Sequence, residues 1–226
     1  MTTLPADRIY YAHAGRVGLI RRLSLAARQE VFRLFMARLA PGRATTVLDV
    51  GVSLDVASPE ANVLERCYPH RENLTCAGIG DGAAVRRAYP GVGFVQIAPH
   101  APLPFADGQF DVVYSNAVVE HVGSRARQQA FVRELCRVGK RVFVVVPNRL
   151  FPVEHHTGLP LVHYLPPAAF RGLLRHTRFA HWAEEENLNP VLAGEFRRMF
   201  PPDRPVEIRH AGLGLAAFRS NLVAIG

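Results

Sequence analysis

From residue 21 to residue 39, apolar side chains return at every fourth position: Leu23, Ala27, Val31, Phe35 and Leu39. Arg22, Arg28, Arg33 and Arg38 fall mostly on other faces, and Pro41-Gly42 follows. This spacing predicts an amphipathic helix that stops at the proline and glycine. Such a helix packs on a sheet or roofs a pocket, and its arginines would also suit a membrane surface. Core packing is the commoner use of the pattern.

Past residue 44 the period changes. Short β-branched runs at 45–50, 74–79, 93–97, 110–115 and 141–146 alternate with helical stretches at 60–67, 82–89 and 124–138. The strands read as nearly continuous apolar runs, above all Val142-Phe143-Val144-Val145-Val146. That pattern belongs to a parallel sheet covered by helices on both faces. After Pro147 the chain becomes rich in histidine and proline, so residues 151–167 read as a long loop. Helices are expected at 167–176 and 192–199, the first with proline at its start. Strands at 214–218 and 221–225 would form a closing hairpin. One domain over 1–226 accommodates all of this, with an N-terminal helical segment at 1–42, a core at 45–148 and a final part at 149–226.

The chain is 49% hydrophobic over 226 residues, enough for a large core and too apolar for a disordered protein. No stretch approaches the roughly 20 apolar residues of a membrane span. Met1 to Arg8 is polar and no signal-like cleavage site follows, so the expected compartment is the cytoplasm. Cys67, Cys76 and Cys136 form no CxxC pair and read as buried free thiols. The net charge of +8 is nearly all arginine. Charge alone is a weak argument for nucleic acid and none for fold.

In sheets of this kind, ligands bind at the carboxyl ends of the strands. After the first strand comes Val47-Leu48-Asp49-Val50-Gly51-Val52-Ser53, where Gly51 permits a sharp turn and Asp49 could orient the loop or a ligand's ammonium group. After the second comes Gly78-Ile79-Gly80-Asp81; Asp81 suits either a ribose, through two acceptor oxygens, or the cap of the next helix. Around the fourth lies Leu103-Pro104-Phe105-Ala106-Asp107-Gly108-Gln109-Phe110-Asp111-Val112-Val113-Tyr114-Ser115-Asn116, then Ala117-Val118-Val119-Glu120-His121. Around the fifth lie Glu134-Leu135-Cys136-Arg137-Val138 and Val144-Val145-Val146-Pro147-Asn148.

From Thr45 to Asn148 these segments resemble, in order and spacing, class I S-adenosylmethionine-dependent methyltransferases of the type 11 group. The resemblance implies a Rossmann-like three-layer sandwich with a seven-stranded, mostly parallel sheet and an antiparallel last strand. It implies S-adenosylmethionine as cofactor, with Asp49, Gly51 and Ser53 on its methionine side. Asp81 would hold the ribose, and Asn116 and Ala117 would lie near the methionine moiety. Two departures stand out. Ser53 and Asp55 occupy positions where the family favours glycine, and Ala98-Pro99-His100-Ala101-Pro102 carries no acid after the third strand.

Methyl transfer to a hydroxyl needs a base with a pKa near neutrality. His121, after the fourth strand, is one candidate, with helix capping as its alternative role. His156 is another, oriented by Glu154. His155, His163, Tyr164 and Asn148 are candidate substrate contacts. No second ligand pair of the His-Glu-x-x-His kind is present, so no metal is expected. The acceptor is expected to be a small or lipid-like molecule, with peripheral membrane contact as a corollary of the N-terminal helix. Ser115-Asn116-Ala117-Val118 lacks the Pro-Pro-aromatic run of base-methylating enzymes, which argues against nucleic acid. A non-catalytic binding module is the alternative that the glycine-poor first loop suggests. The absence of G-x-G-x-x-G argues against a dehydrogenase.

Overall fold

The computed structural model describes residues 17–226, with side chains from residue 21 onward. The segment before residue 17, including the polar start at Met1 to Arg8, lies outside the described residues.

Seven strands form one sheet in the order β3-β2-β1-β4-β5-β7-β6. They are β1 (Val47–Val50), β2 (Leu74–Gly78), β3 (Gly93–Gln96), β4 (Phe110–Asn116), β5 (Gly139–Pro147), β6 (Glu207–Ala211) and β7 (Asn221–Ile225). The first five run parallel, and β7 runs antiparallel to both β5 and β6. The expected Rossmann-like sandwich with a reversed last strand is the observed fold.

The apolar strands explain the layers. Alternate side chains of a strand point to opposite faces. Leu48, Val50, Val113, Val144 and Val146 join one buried cluster, while Val47, Val112, Phe143 and Val145 join a second. Both faces of the central strands are therefore covered. The described residues form six helices: α1 (Val17–Leu39), α2 (Val63–Cys67), α3 (Ala83–Ala88), α4 (Arg125–Val138), α5 (Pro167–Arg175) and α6 (Ala193–Met199); all but α5 contribute to these two clusters, whereas Phe170 and Leu174 of α5 belong to a third. Phe35 of α1 lies edge-on to Tyr114 and Phe143, each 5.3 Å away between ring centroids. The amphipathic stripe is thus a core contact in its second half. In its first half, Leu23, Ser24, Ala27 and Arg28 roof a cleft.

Three sequence expectations need correction. The penultimate strand lies at Glu207–Ala211, not at 214–218. It is an edge strand, so Glu-Ile-Arg-His-Ala alternates with polar residues and looks weak as a strand. The more apolar stretch after it turns instead: Gly212 and Gly214 have φ of +83° and +98°, and Leu215 is exposed. The helix expected at 60–67 starts only at Val63, because Asn62 sits in the left-handed region at φ 51°. Cys67 is exposed, while Cys76 and Cys136 are buried. Among the described residues, no helix is long and apolar enough to cross a membrane.

Candidate active site

The carboxyl ends of β1, β2, β4 and β5 open into one cleft of about 1150 Å³. Cofactor and drug-sized pockets span roughly 300–1,000 Å³, so this cleft has room for more than one ligand. Asp49, Gly51, Ser53, Asn116, Ala117, His121, Glu154, His155 and His156 all line it. Chain segments more than a hundred residues apart thus meet where the strand ends placed them.

The first loop is tight at Gly51. Its φ is +100°, its N–H donates to the Ala77 carbonyl at 2.8 Å, and a Cβ there would stand 2.2 Å from a Val118 methyl. Downstream, side chains hold the loop where the family uses glycine. Ser53 N–H donates to Asn62 Oδ1 at 3.0 Å, and Asn62 Nδ2 donates back to the Ser53 carbonyl at 2.8 Å. Asp55 accepts from the N–H groups of Ala57 and Ser58, each at 3.1 Å. The loop is shaped by these reciprocal bonds rather than by backbone freedom. Across the cleft, Ala117 adopts φ 58° and donates its N–H to the Val145 carbonyl at 2.9 Å. A non-glycine residue held there is a strained position of the kind found at binding sites.

Beneath this loop, Asp49 and Glu65 are buried together, and Cys76 Sγ donates to Glu65 Oε1 at 3.3 Å. Burial, and then the Glu65 carboxylate beside it, push Asp49 well above the usual carboxylate range. Burial and the same carboxylates raise the Cys76 thiol. A raised folded-state pKa favours folding at low pH, and this contribution is lost as pH rises from about 3.9 through the folded-state value. Asp49→Asn should therefore flatten the decline of Tm with rising pH above about pH 4. An unchanged Tm–pH profile in the variant would show that the pair does not share a proton.

A second buried constellation sits between the ends of β4 and β5. His156 Nδ1 lies 2.8 Å from Glu154 Oε1, and His156 Nε2 lies 3.1 Å from His121 Nε2. His121 Nδ1 lies 2.6 Å from the Asn187 carbonyl. Glu154 Oε2 also accepts from the N–H groups of His156 and Thr157, at 3.0 and 2.6 Å. Trp182 packs against both rings, 5.8 Å from His121 and 4.8 Å from His156. Burial works to raise Glu154, but the His156 ring and these hydrogen bonds hold it at about 2. Burial opposes charge on His156, yet Glu154 more than offsets this and raises it. Burial, and then His156, lower His121 to about 3. Burial lowers His155 to about 4.

Four expected site residues do not line this cleft. Asp81 does not line the cleft; it accepts from Ala83 N–H at 3.0 Å and faces Arg86 at 3.6 Å. It precedes the N-cap Gly82 and makes a local turn bond at the start of α3, not the N-cap role its sequence context allowed. Asp81→Ala should cost at most about 0.5–1.5 kcal/mol of stability, the worth of one local hydrogen bond. Cofactor affinity should fall by less than the roughly tenfold or more expected of a direct charge-assisted bond. A larger loss in a calorimetric titration would restore the ribose role. Asn148 Nδ2 donates to the carbonyls of Ala217 and Arg219, at 2.8 and 2.7 Å, tying β5 to the β6–β7 connection. His163 Nε2 donates to the Phe151 carbonyl at 2.8 Å, and Tyr164 Oη donates to the Leu150 carbonyl at 2.5 Å. These three brace the loop after β5.

Residues outside the recognised motifs also shape the site. Glu65 lies on a short helix, Asn62 at a left-handed turn, and Trp182 on a turn 61 residues past His121 in sequence. Glu120 is part of the Glu120-His121 pair that the motif contains. The stretch at 98–102 does reach the cleft, and His100 is its polar member.

The ordered sheet, the cleft at its carboxyl edge and the turn at Gly51 are those of the class I methyltransferase fold. Residues 54–142 match the family model described as a methyltransferase domain, of the type 11 group. No curated protein matches. Among solved structures, the chain is similar to an S-adenosylmethionine-dependent methyltransferase from Aquifex aeolicus. Identity is 13%, 99% of this chain and 98% of the other are covered, and the TM-score is 0.53. It is similar to magnesium protoporphyrin IX methyltransferase from Synechocystis PCC 6803 with bound S-adenosylhomocysteine. There the values are 17% identity, 97% and 90% coverage, and a TM-score of 0.56. It is also similar to a possible histamine N-methyltransferase from Thermotoga maritima, at 15% identity, 98% and 97% coverage, and a TM-score of 0.57. The fold is therefore that of class I methyltransferases, and residues 54–142 are similar to the type 11 methyltransferase domain.

The residues present would suit S-adenosylmethionine as cofactor. A buried acid pair, Asp49 and Glu65, stands at the cleft wall where a cation would relieve it. At Gly51 a side chain would fill the space between loop and Val118.

Proposed function

We propose that this protein transfers the methyl group of S-adenosylmethionine to a hydroxyl of a small or lipid-like acceptor. The observation that carries this reading is a single cleft joining the Asp49–Gly51 loop to the Glu154–His156–His121 chain. Asp49 and Glu65 would receive the methionine ammonium group, while Ser53, Asn116 and Ala117 would border the same end. When bound, the cofactor supplies a methyl on a sulfonium and departs as S-adenosylhomocysteine.

The protein's own task is to hold the acceptor in line and make its hydroxyl nucleophilic. As the O–CH3 bond forms and the S–CH3 bond breaks, the hydroxyl proton must leave. In the metal-free protein the His121–His156 pair would receive it, with Glu154 stabilising the resulting imidazolium. The apolar part of the wall, including Leu23, Val31, Ile79 and Phe151, favours an acceptor with a hydrophobic body. Having its loop held by Asn62 and Asp55 weakens the case for a non-catalytic module.

The test is calorimetric titration with S-adenosylmethionine and S-adenosylhomocysteine, followed by an acceptor screen using labelled methyl donor. Micromolar binding with label transfer to a hydroxyl is the expected result. Absence of binding to either compound would overturn the reading.

A further inference from the structure

We propose that Glu120, His121 and His156 form a binding site for one divalent transition-metal ion of the zinc or cobalt type, open on its fourth side to the cleft. One ligand atom from each residue lies within 4.8 Å of the others. The two nitrogens that would ligate, His121 Nε2 and His156 Nε2, are 3.1 Å apart. Two nitrogens on a tetrahedral zinc, each about 2.0–2.1 Å from the metal, stand about 3.3 Å apart, so little movement is required.

The hydrogen bonds at the far side of each ring say which atoms are available. His156 Nδ1 faces a carboxylate and His121 Nδ1 faces a carbonyl. Both partners accept, so both Nδ1 atoms carry the proton, and in neutral rings both Nε2 atoms present lone pairs. Two lone pairs pointed at each other need a proton or a cation between them. A shared proton would satisfy the rings but leaves Glu120 unexplained. Its side chain is fully buried, and neither carboxylate oxygen has a hydrogen-bond partner among the described residues. Its Oε1 lies 3.7 Å from His121 Nε2. A buried carboxylate without a donor is costly, and such groups are normally paired or bound to a metal. One cation answers both difficulties.

The surroundings match metal-site architecture. Ligating histidines usually donate their other ring N–H to a carboxylate or backbone carbonyl, which fixes the ring and the tautomer. Glu154 and the Asn187 carbonyl do this here, and Glu154 is itself held by two backbone N–H groups. Three protein ligands and an open position are the pattern of a catalytic site, and imidazole with one carboxylate favours zinc, iron, cobalt or nickel over magnesium or calcium. Glu120, His121 and His156 all line the cleft. An acceptor hydroxyl at the open position would be acidified by coordination, its proton then leaving to solvent. This use of the ion rests on the methyl-transfer reading; occupancy of the site does not.

The experiment is titration of chelator-treated full-length protein with Co2+ and with Zn2+. Expected are one equivalent bound, visible cobalt ligand-field absorption, and 15N shifts at two imidazole rings of the wild-type protein when Zn2+ is added. His156→Ala and Glu120→Gln should each weaken Co2+ binding at least 100-fold, and Glu154→Gln by about 10–100-fold. Cys76→Ser, in the separate Asp49–Glu65–Cys76 cluster, should leave it unchanged. Wild-type protein that shows neither cobalt absorption nor imidazole shifts overturns the proposal even if a variant fails to fold. Binding that survives both ligand variants overturns it too. Parallel titration with S-adenosylhomocysteine keeps the two readings apart: metal binding without cofactor binding would sink methyl transfer and leave the site standing.

Discussion

Replacing His156 with alanine should reduce kcat by about 10²–10⁴-fold, the range attached to a positioned proton-transfer group. Cofactor affinity should stay as in the parent. The reason is spatial. His156 joins the cleft from the loop after β5, whereas Asp49, Gly51 and Ser53, the proposed cofactor side, come from the end of β1. His156 also holds a buried partner: removing its ring leaves the Glu154 carboxylate, now at about 2, without the imidazole that lowers it. The remaining N–H donors of residues 156 and 157 keep Glu154 partly satisfied, so the loop should persist. Steady-state kinetics and a cofactor titration on the same preparation check this. Loss of cofactor binding in parallel with kcat would show a structural role instead. Intact turnover would remove His156 from the chemistry altogether.

The second large effect is expected at Gly51. Gly51→Ala should destabilise the fold by roughly 2–6 kcal/mol and abolish measurable cofactor binding. Two costs add. A φ of +100° is one that residues with a Cβ rarely adopt, at about 1–3 kcal/mol. The new Cβ would also stand 2.2 Å from a Val118 methyl, and overpacking costs about 1–3 kcal/mol. Val118 immediately precedes the turn that carries Glu120 and His121, so relief of the clash would displace those side chains. A double-mutant cycle separates the two costs. Val118→Ala in the Gly51→Ala background should recover the packing share and leave the backbone share. If denaturation midpoints show no recovery, the contact with Val118 is not what requires glycine.

Much of the architecture was legible along the chain. The central strands announced themselves because both faces of a parallel sheet must be apolar, and Val142 to Val146 satisfies that condition without help from partners. The α1 stripe at Leu23 to Leu39 was equally plain, since its spacing matches the helical period. Edge strand β6 escaped detection because one covered face demands little apolar side-chain content. Short helix α2 was misplaced because its start depends on the left-handed turn at Asn62, a conformation set by its bonds to Ser53.

The candidate site divides along the same line. The strand ends and the motif-bearing residues Asp49, Gly51, Asn116 and His121 could be placed in order, because a parallel sheet delivers all its carboxyl ends to one edge. That Asp81 bonds the neighbouring Ala83 N–H and Asn148 braces a turn could not be read, since each side chain suits several roles locally. Nor could the relation of His121 to His156, which are 35 residues apart in sequence and 3.1 Å apart between ring nitrogens. Ligand spacing reports only ligands borne on one element, so it is silent on Glu120, His121 and His156, which come from two segments. Local periodicity determines which segments become strands and helices, for it expresses what each must bury. Tertiary structure alone decided which buried polar groups meet, since that depends on strand order and on loops whose side chains bond to distant backbone.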